Sequence, residues 1–161
     1  MAIIAVRIDD RLIHGQVAAL WTNTLGATRI MVVDDKVATN DVQKMSLKIA
    51  TPNGVALSVL SIDKAAERIT AGAYEGQRVF LVARKPGVLN KLIDKGVELK
   101  EINVGNMPYE QGKIKVANTV SVTQEEIEDF EKLQAKGVAI SIQLTPSDPR
   151  KDFMEVLKEA K

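Results

Sequence analysis

One stretch holds most of the unusual side-chain chemistry of this chain: Arg7-Ile8-Asp9-Asp10-Arg11-Leu12-Ile13-His14-Gly15-Gln16-Val17, which includes its only histidine. Two carboxylates and an arginine so close together, Asp9, Asp10 and Arg11, are hard to bury, which predicts a loop exposed at the rim of the fold. Gly15 directly after the imidazole lets backbone or ligand approach closely. The residues after it carry the apolar pattern of a helix, so the Gly15 and Gln16 amides would be free donors at a helix start. An imidazole beside free N–H groups and guanidinium is a cradle for phosphate, and equally compatible with a capped turn.

Other chemistries have less to work with. The chain has no cysteine and one histidine, which removes disulfides, thiolate nucleophiles and His-rich metal sites. Neither G-x-G-x-x-G nor G-x-x-x-x-G-K-[ST] occurs, and there is no G-x-S-x-G elbow. Asp34 and Asp35, after an apolar run, could bind Mg²⁺ as in an aspartyl-phosphate receiver, although an acidic pair there also serves to cap a helix or order a loop. The remaining chemistry is His14 as a nucleophile toward phosphorus. A phosphohistidine would carry roughly −1.5 to −2 charge near neutral pH. Arg11 is its nearest cation and Arg7 stands on the preceding strand.

Bulk composition excludes several classes. Lys+Arg number 22 against 21 Asp+Glu, so no overall pull toward nucleic acid exists. Neither a signal-peptide core nor a run of about 18 apolar residues occurs, and a cytoplasmic protein is expected. At 161 residues and 45% hydrophobic the chain suits one domain, 1–161, with a sizeable core.

The elements that position His14 follow from periodicity. Apolar runs at Ile3–Ile8, Thr28–Val33, Val55–Leu60, Arg78–Ala83, Glu101–Val104 and Val138–Leu144 alternate with amphipathic patterns, the signature of βαβ units. The expected fold is α/β: an open, mostly parallel central sheet with helices on both faces. The segment Lys113-Ile114-Lys115-Val116 alternates with period two and predicts an antiparallel edge strand or hairpin near 112–118. Helix one, about Gly15–Leu25, should bury Val17, Leu20, Trp21 and Leu25. A helix from about Asn40 to Ala50 shows Val42, Met45 and Ile49 on one face. Thr123-Gln124-Glu125-Glu126 reads as a capping box, and a terminal helix runs to about Ala160. With a strand order of 3-2-1-4-5, the switch point between strands one and four would bring Arg84-Lys85-Pro86 beside His14.

The histidine stretch resembles the phosphorylation motif of the IIB components of the mannose, fructose and sorbose class of the bacterial phosphoenolpyruvate-dependent sugar phosphotransferase system. Val32-Val33-Asp34-Asp35-Lys36-Val37-Ala38, Asn103-Val104-Gly105-Asn106-Met107 and the segment Val116 to Glu126 are similar to the family pattern in order and spacing. The family's glycine pair before Met107 appears here as Gly105-Asn106. The resemblance implies a protein-N-phosphohistidine–sugar phosphotransferase: His14 takes a phosphoryl group from a separate IIA protein and passes it to a sugar held by membrane subunits IIC and IID. It implies that Arg11 neutralises phosphate charge, Asp9 orders Arg11 or the loop, and the Gly15 and Gln16 amides donate. Apart from the resemblance, Arg7 on the preceding strand and, through strand order, Arg84 and Lys85 are further candidate phosphate contacts, the last two equally readable as solvated loop charge. The resemblance calls for no cofactor and no metal, and places the protein at the inner face of the membrane through IIC and IID. The competing readings are a non-catalytic regulatory module of the same fold and the aspartyl-phosphate receiver.

Overall fold

A computed structural model describes residues 2–161. Strand β1, Ile3–Asp9, alternates its side chains between two helix layers. Val6 and Ile8 enter one core, whereas Ala5 packs into the other, on the face that also receives Arg7 against Trp21. Helix α1, Gly15–Leu25, follows and closes at Gly26, whose φ of 64° is a left-handed stop that glycine adopts freely. Strand β2, Arg29–Val33, leads through a short 3₁₀ turn, Val37–Thr39, into helix α2, Asp41–Ala50. Strand β3, Ala56–Leu60, helix α3, Ile62–Thr70, strand β4, Val79–Ala83, and helix α4, Pro86–Asp94, continue the alternation.

The second half departs from simple βα units. Strand β5, Glu101–Asn106, runs two residues beyond its expected end. Strands β6, Ile114–Ala117, and β7, Val120–Val122, form the antiparallel hairpin anticipated near 112–118, as a separate two-stranded sheet. A Met107–Val120 bridge ties it to the end of β5. Helix α5, Gln124–Ala135, starts on the Thr123/Glu126 capping box. Strand β8, Ala139–Ile142, a two-residue strand β9, Lys151–Asp152, and helix α6, Phe153–Ala160, complete the chain. The antiparallel β9 was not anticipated, because two residues carry no periodicity.

The large sheet has the order β3-β2-β4-β1-β5-β8-β9 and is parallel except for β9. The expected order 3-2-1-4-5 is therefore incorrect: β4 lies between β2 and β1. Both β1 and β4 read as central strands in an apolar pattern, which cannot rank them. Their adjacency, on which the placement of Arg84 depended, is present. Helices α3, α4, α5 and α6 cover one face with the larger core, centred on Leu89, Phe130 and Phe153; the two phenylalanine rings meet at 4.5 Å between centroids. Helices α1 and α2 supply Ala18, Trp21 and Leu47 to the other face.

One helix residue departs from expectation, and one apolar helix face turns to solvent. Leu20 is 48% exposed, because the buried phase of α1 runs through Ala18, Trp21 and Thr22. In α2 the apolar stripe is real but points outward, with Val42 at 77%, Met45 at 58% and Ile49 at 78% exposure, while Leu47 is the residue that enters the core. The Asn40 cap and the buried Val37 before it fix the rotation of α2. No helix among the described residues is long and apolar enough to cross a membrane.

Candidate functional site

The sequence places two charges, Arg7 and Asp9, on the same face of β1, and the fold buries both, to 3% and 2% exposure. Burial of charge demands partners, and Asp9 has an extensive set. Its Oδ1 accepts the Arg11 backbone N–H at 2.9 Å and the Arg11 Nε–H at 3.1 Å. Its Oδ2 accepts from Arg11 Nη2 at 3.0 Å and, more distantly, from Arg7 Nε and Nη2 at 3.4 Å. Arg11 is thus held side-on in a bidentate fork, half-buried, with Nη1 outside the fork.

The loop between Asp9 and His14 is fixed by backbone contacts. Leu12 N–H donates to the Asp9 carbonyl and Asp10 N–H to the Asn106 carbonyl, both at 2.9 Å. Leu12 is buried with φ of 63°, the one described non-glycine residue in the left-handed region. That conformation costs a β-carbon-bearing residue roughly 1–2 kcal/mol. Its side chain nevertheless packs with Ile13 into the second core, fastening the loop from beneath.

His14 then stands at the N-cap of α1, extended and solvent-exposed, with no side-chain capping bond. No acidic residue occupies the first turn of α1. Helices α2, α3, α5 and α6 all have a capping side chain and an acid in their first turn. The partial positive charge at the start of α1 is therefore left without a carboxylate to oppose it, beside an imidazole. Gly15 and Gln16 are exposed there, and Gly15 has φ of 29°.

The remaining predicted residues divide. Arg84, at the end of β4, donates Nε–H to the Asp10 carbonyl at 3.1 Å, so it does reach the histidine loop. Lys85 is exposed at the N-cap of α4, which likewise has no capping bond and no acid in its first turn. Arg7 departs from the expectation of a phosphate contact. Besides Asp9, it donates Nη1 to the Gln143 carbonyl at 3.0 Å and Nη2 to the Leu144 carbonyl at 2.9 Å, with its guanidinium 5.3 Å from the centroid of the Trp21 ring. Four of its five N–H groups are engaged inside the protein. Burial lowers the Arg7 pKa and Asp9 opposes that effect.

Asp34 and Asp35 are occupied in holding backbone. Asp34 Oδ1 accepts from Lys36 and Val37 N–H at 3.0 and 2.9 Å, and Asp35 Oδ1 accepts from Ile62 N–H at 2.8 Å at the start of α3. No group of three or more potential metal-ligating side chains occurs among the described residues. Sequence reasoning missed Gly105, Gln143 and Leu144 as parts of the site's foundation. Only the Asn-Val-Gly-Asn-Met pattern hinted at the first, and backbone carbonyls leave no sequence signal.

An open parallel sheet with an exposed histidine at a strand-to-helix junction has the layout of α/β domains whose ligands bind outside the carboxyl ends of strands. The family model described as "PTS system sorbose subfamily IIB component" matches residues 3–161, and the chain belongs to that family. It is 37% identical over 158 residues to a Bacillus subtilis PTS system fructose-specific EIIB component, covering 98% of this chain and 97% of that protein. It is 39% identical over 159 residues to an Escherichia coli PTS system mannose-specific EIIAB component, of which it spans 49%. The IIBSor domain of the sorbose permease from Klebsiella pneumoniae superposes with a TM-score of 0.95 at 31% identity, covering 100% of this chain and 99% of that one. Components of this family are phosphotransferases of sugar uptake.

Proposed function

We propose that His14 is the phosphorylated nucleophile of a IIB phosphocarrier. The observation that carries this reading is the exposed His14 imidazole at an uncapped, acid-free helix start, preceded in the same loop by Arg11, whose guanidinium is fixed in place by Asp9. In the first step an imidazole nitrogen attacks the phosphorus of phospho-IIA; the new N–P bond forms as the donor's P–N bond breaks. In the second, a sugar hydroxyl held by IIC and IID attacks the same phosphorus, the N–P bond to His14 breaks, and the hydroxyl proton leaves to base or solvent. The transferring phosphoryl group needs little covalent help and much charge compensation. Arg11 supplies it through its outer edge, Asp9 positions Arg11, and the Gly15 and Gln16 amides donate to phosphate oxygens. Arg84, tied to the Asp10 carbonyl, and Lys85 add positive charge from the β4 side. The protein works in the cytoplasm against the membrane subunits.

Incubation with phosphoenolpyruvate, the general phosphotransferase proteins and a IIA protein tests this. One phosphoryl group per chain is expected on the parent and none on His14→Ala; equal labelling of both would remove the assignment.

A further inference from the structure

We infer that Arg7 is a positioning residue for phosphoryl transfer: it braces the Asp9 carboxylate, and through it the Arg11 guanidinium, without touching phosphate. This rests on the reading of His14 above and deepens it by one layer. A buried guanidinium is an unfavourable way to fill space, since apolar side chains of similar volume serve as well or better. Among the described residues, the only side-chain hydrogen-bond partner of Arg7 is the carboxylate that holds Arg11. Arg7 approaches Asp9 Oδ2 at 3.4 Å, whereas Arg11 bonds Oδ1 and Oδ2 at 3.1 and 3.0 Å. Arg7 therefore fixes the direction of the carboxylate and compensates its charge, and the tight bidentate pair is left to Arg11. When phosphate competes for Arg11, a carboxylate braced from beneath stays in place.

The seat of Arg7 is assembled from three distant segments. Trp21 of α1 lies against the guanidinium and donates its Nε1–H at 3.0 Å to the Leu144 carbonyl, which also accepts from Arg7. Gln143 offers the second carbonyl and is shared with Asn103 Nδ2 at 3.1 Å. Gly105 provides the space, because a β-carbon there would overlap Cζ, Nη1 and Nη2 of Arg7. This gives Gly105 a defined purpose: it admits the brace, while the Asn106 carbonyl holds Asp10. An alanine at 105 is therefore incompatible with the observed arginine and compatible with a slimmer side chain.

The test uses Arg7→Met, Arg7→Lys, Gly105→Ala and the Arg7→Met/Gly105→Ala double variant, each confirmed folded by thermal melting. Three quantities are read: the initial rate of transfer from phospho-IIA, the final phosphate per chain, and the ¹⁵N–¹H signal of Arg11 Nε. His14 is untouched, so every variant should reach the parental final phosphate, separating this inference from failure of the His14 assignment. Initial rates should fall about tenfold or more in both Arg7 variants and in Gly105→Ala, as for other outer partners that orient a working group. The Arg11 Nε signal should broaden as its fork to Asp9 loosens. The double variant should be no slower than Arg7→Met, because the overlap at 105 then no longer exists. Parental rates in Arg7→Met, full rescue by Arg7→Lys, or a further slowing in the double variant would overturn the inference.

Discussion

Asp9 is the residue on which the loop turns. It sits between two guanidiniums at 2% exposure, so its charge does structural and positional work together. Asp9→Asn keeps the shape and removes the charge, leaving Arg7 buried without a counter-ion. A loss of about 3 kcal/mol is expected in urea unfolding, with slowed transfer to His14; unchanged stability would mean that Arg7 is satisfied by carbonyls alone. Leu12 offers a second test. Its left-handed φ of 63° penalises any residue with a β-carbon, and its side chain is buried. Leu12→Ala loses the packing and keeps the strain, whereas Leu12→Gly loses the packing and relieves the strain. Glycine should therefore be the milder substitution by roughly 1 kcal/mol, as measured by midpoint shifts in denaturant. The grouping of the histidine, Arg11 and Asp9 was legible in the sequence because they lie within six consecutive positions. The role of Arg7 was not, because it is decided by carbonyls at positions 143 and 144 and by the missing β-carbon at 105.

Among the elements, α2 shows how the period of an apolar stripe leaves its phase open. Val42, Met45 and Ile49 do share a helical face, but the Asn40 cap rotates that face to solvent and Leu47 inward. Leu47→Ala should cost about 2–5 kcal/mol. Val42→Lys and Ile49→Lys should each change unfolding free energy by less than about 0.5 kcal/mol, because Lys is at least as good a helix former as a β-branched residue. Equal losses at Leu47 and Ile49 in thermal or denaturant melts would contradict this phase. The capping box at Thr123 was readable for the opposite reason: its pattern is local, and the bonds between Thr123 and Glu126 are both formed, at 2.9 and 3.1 Å. Helix α1 has no such capping pattern at its start.

For the molecule as a whole, the apolar runs specified a parallel α/β sheet and left the neighbours of each strand open. Strand β4 took the place beside β2 that the expected order gave to β1. The site survived that change because the β1–β4 and β1–β5 adjacencies that flank its loop are both present. One brings Arg84 to the Asp10 carbonyl, the other brings Gly105 and Asn106 against Arg7 and Asp10. The sheet thus gathers every predicted site residue at or beneath one rim, with Arg7 and Asp9 as the buried members. Localising the phosphate by mass spectrometry after transfer from phospho-IIA tests the central claim most directly. The account predicts one acid-labile, base-stable phosphoryl group on His14. An acid-stable label on Asp34 or Asp35, or unchanged labelling of His14→Ala, would contradict it.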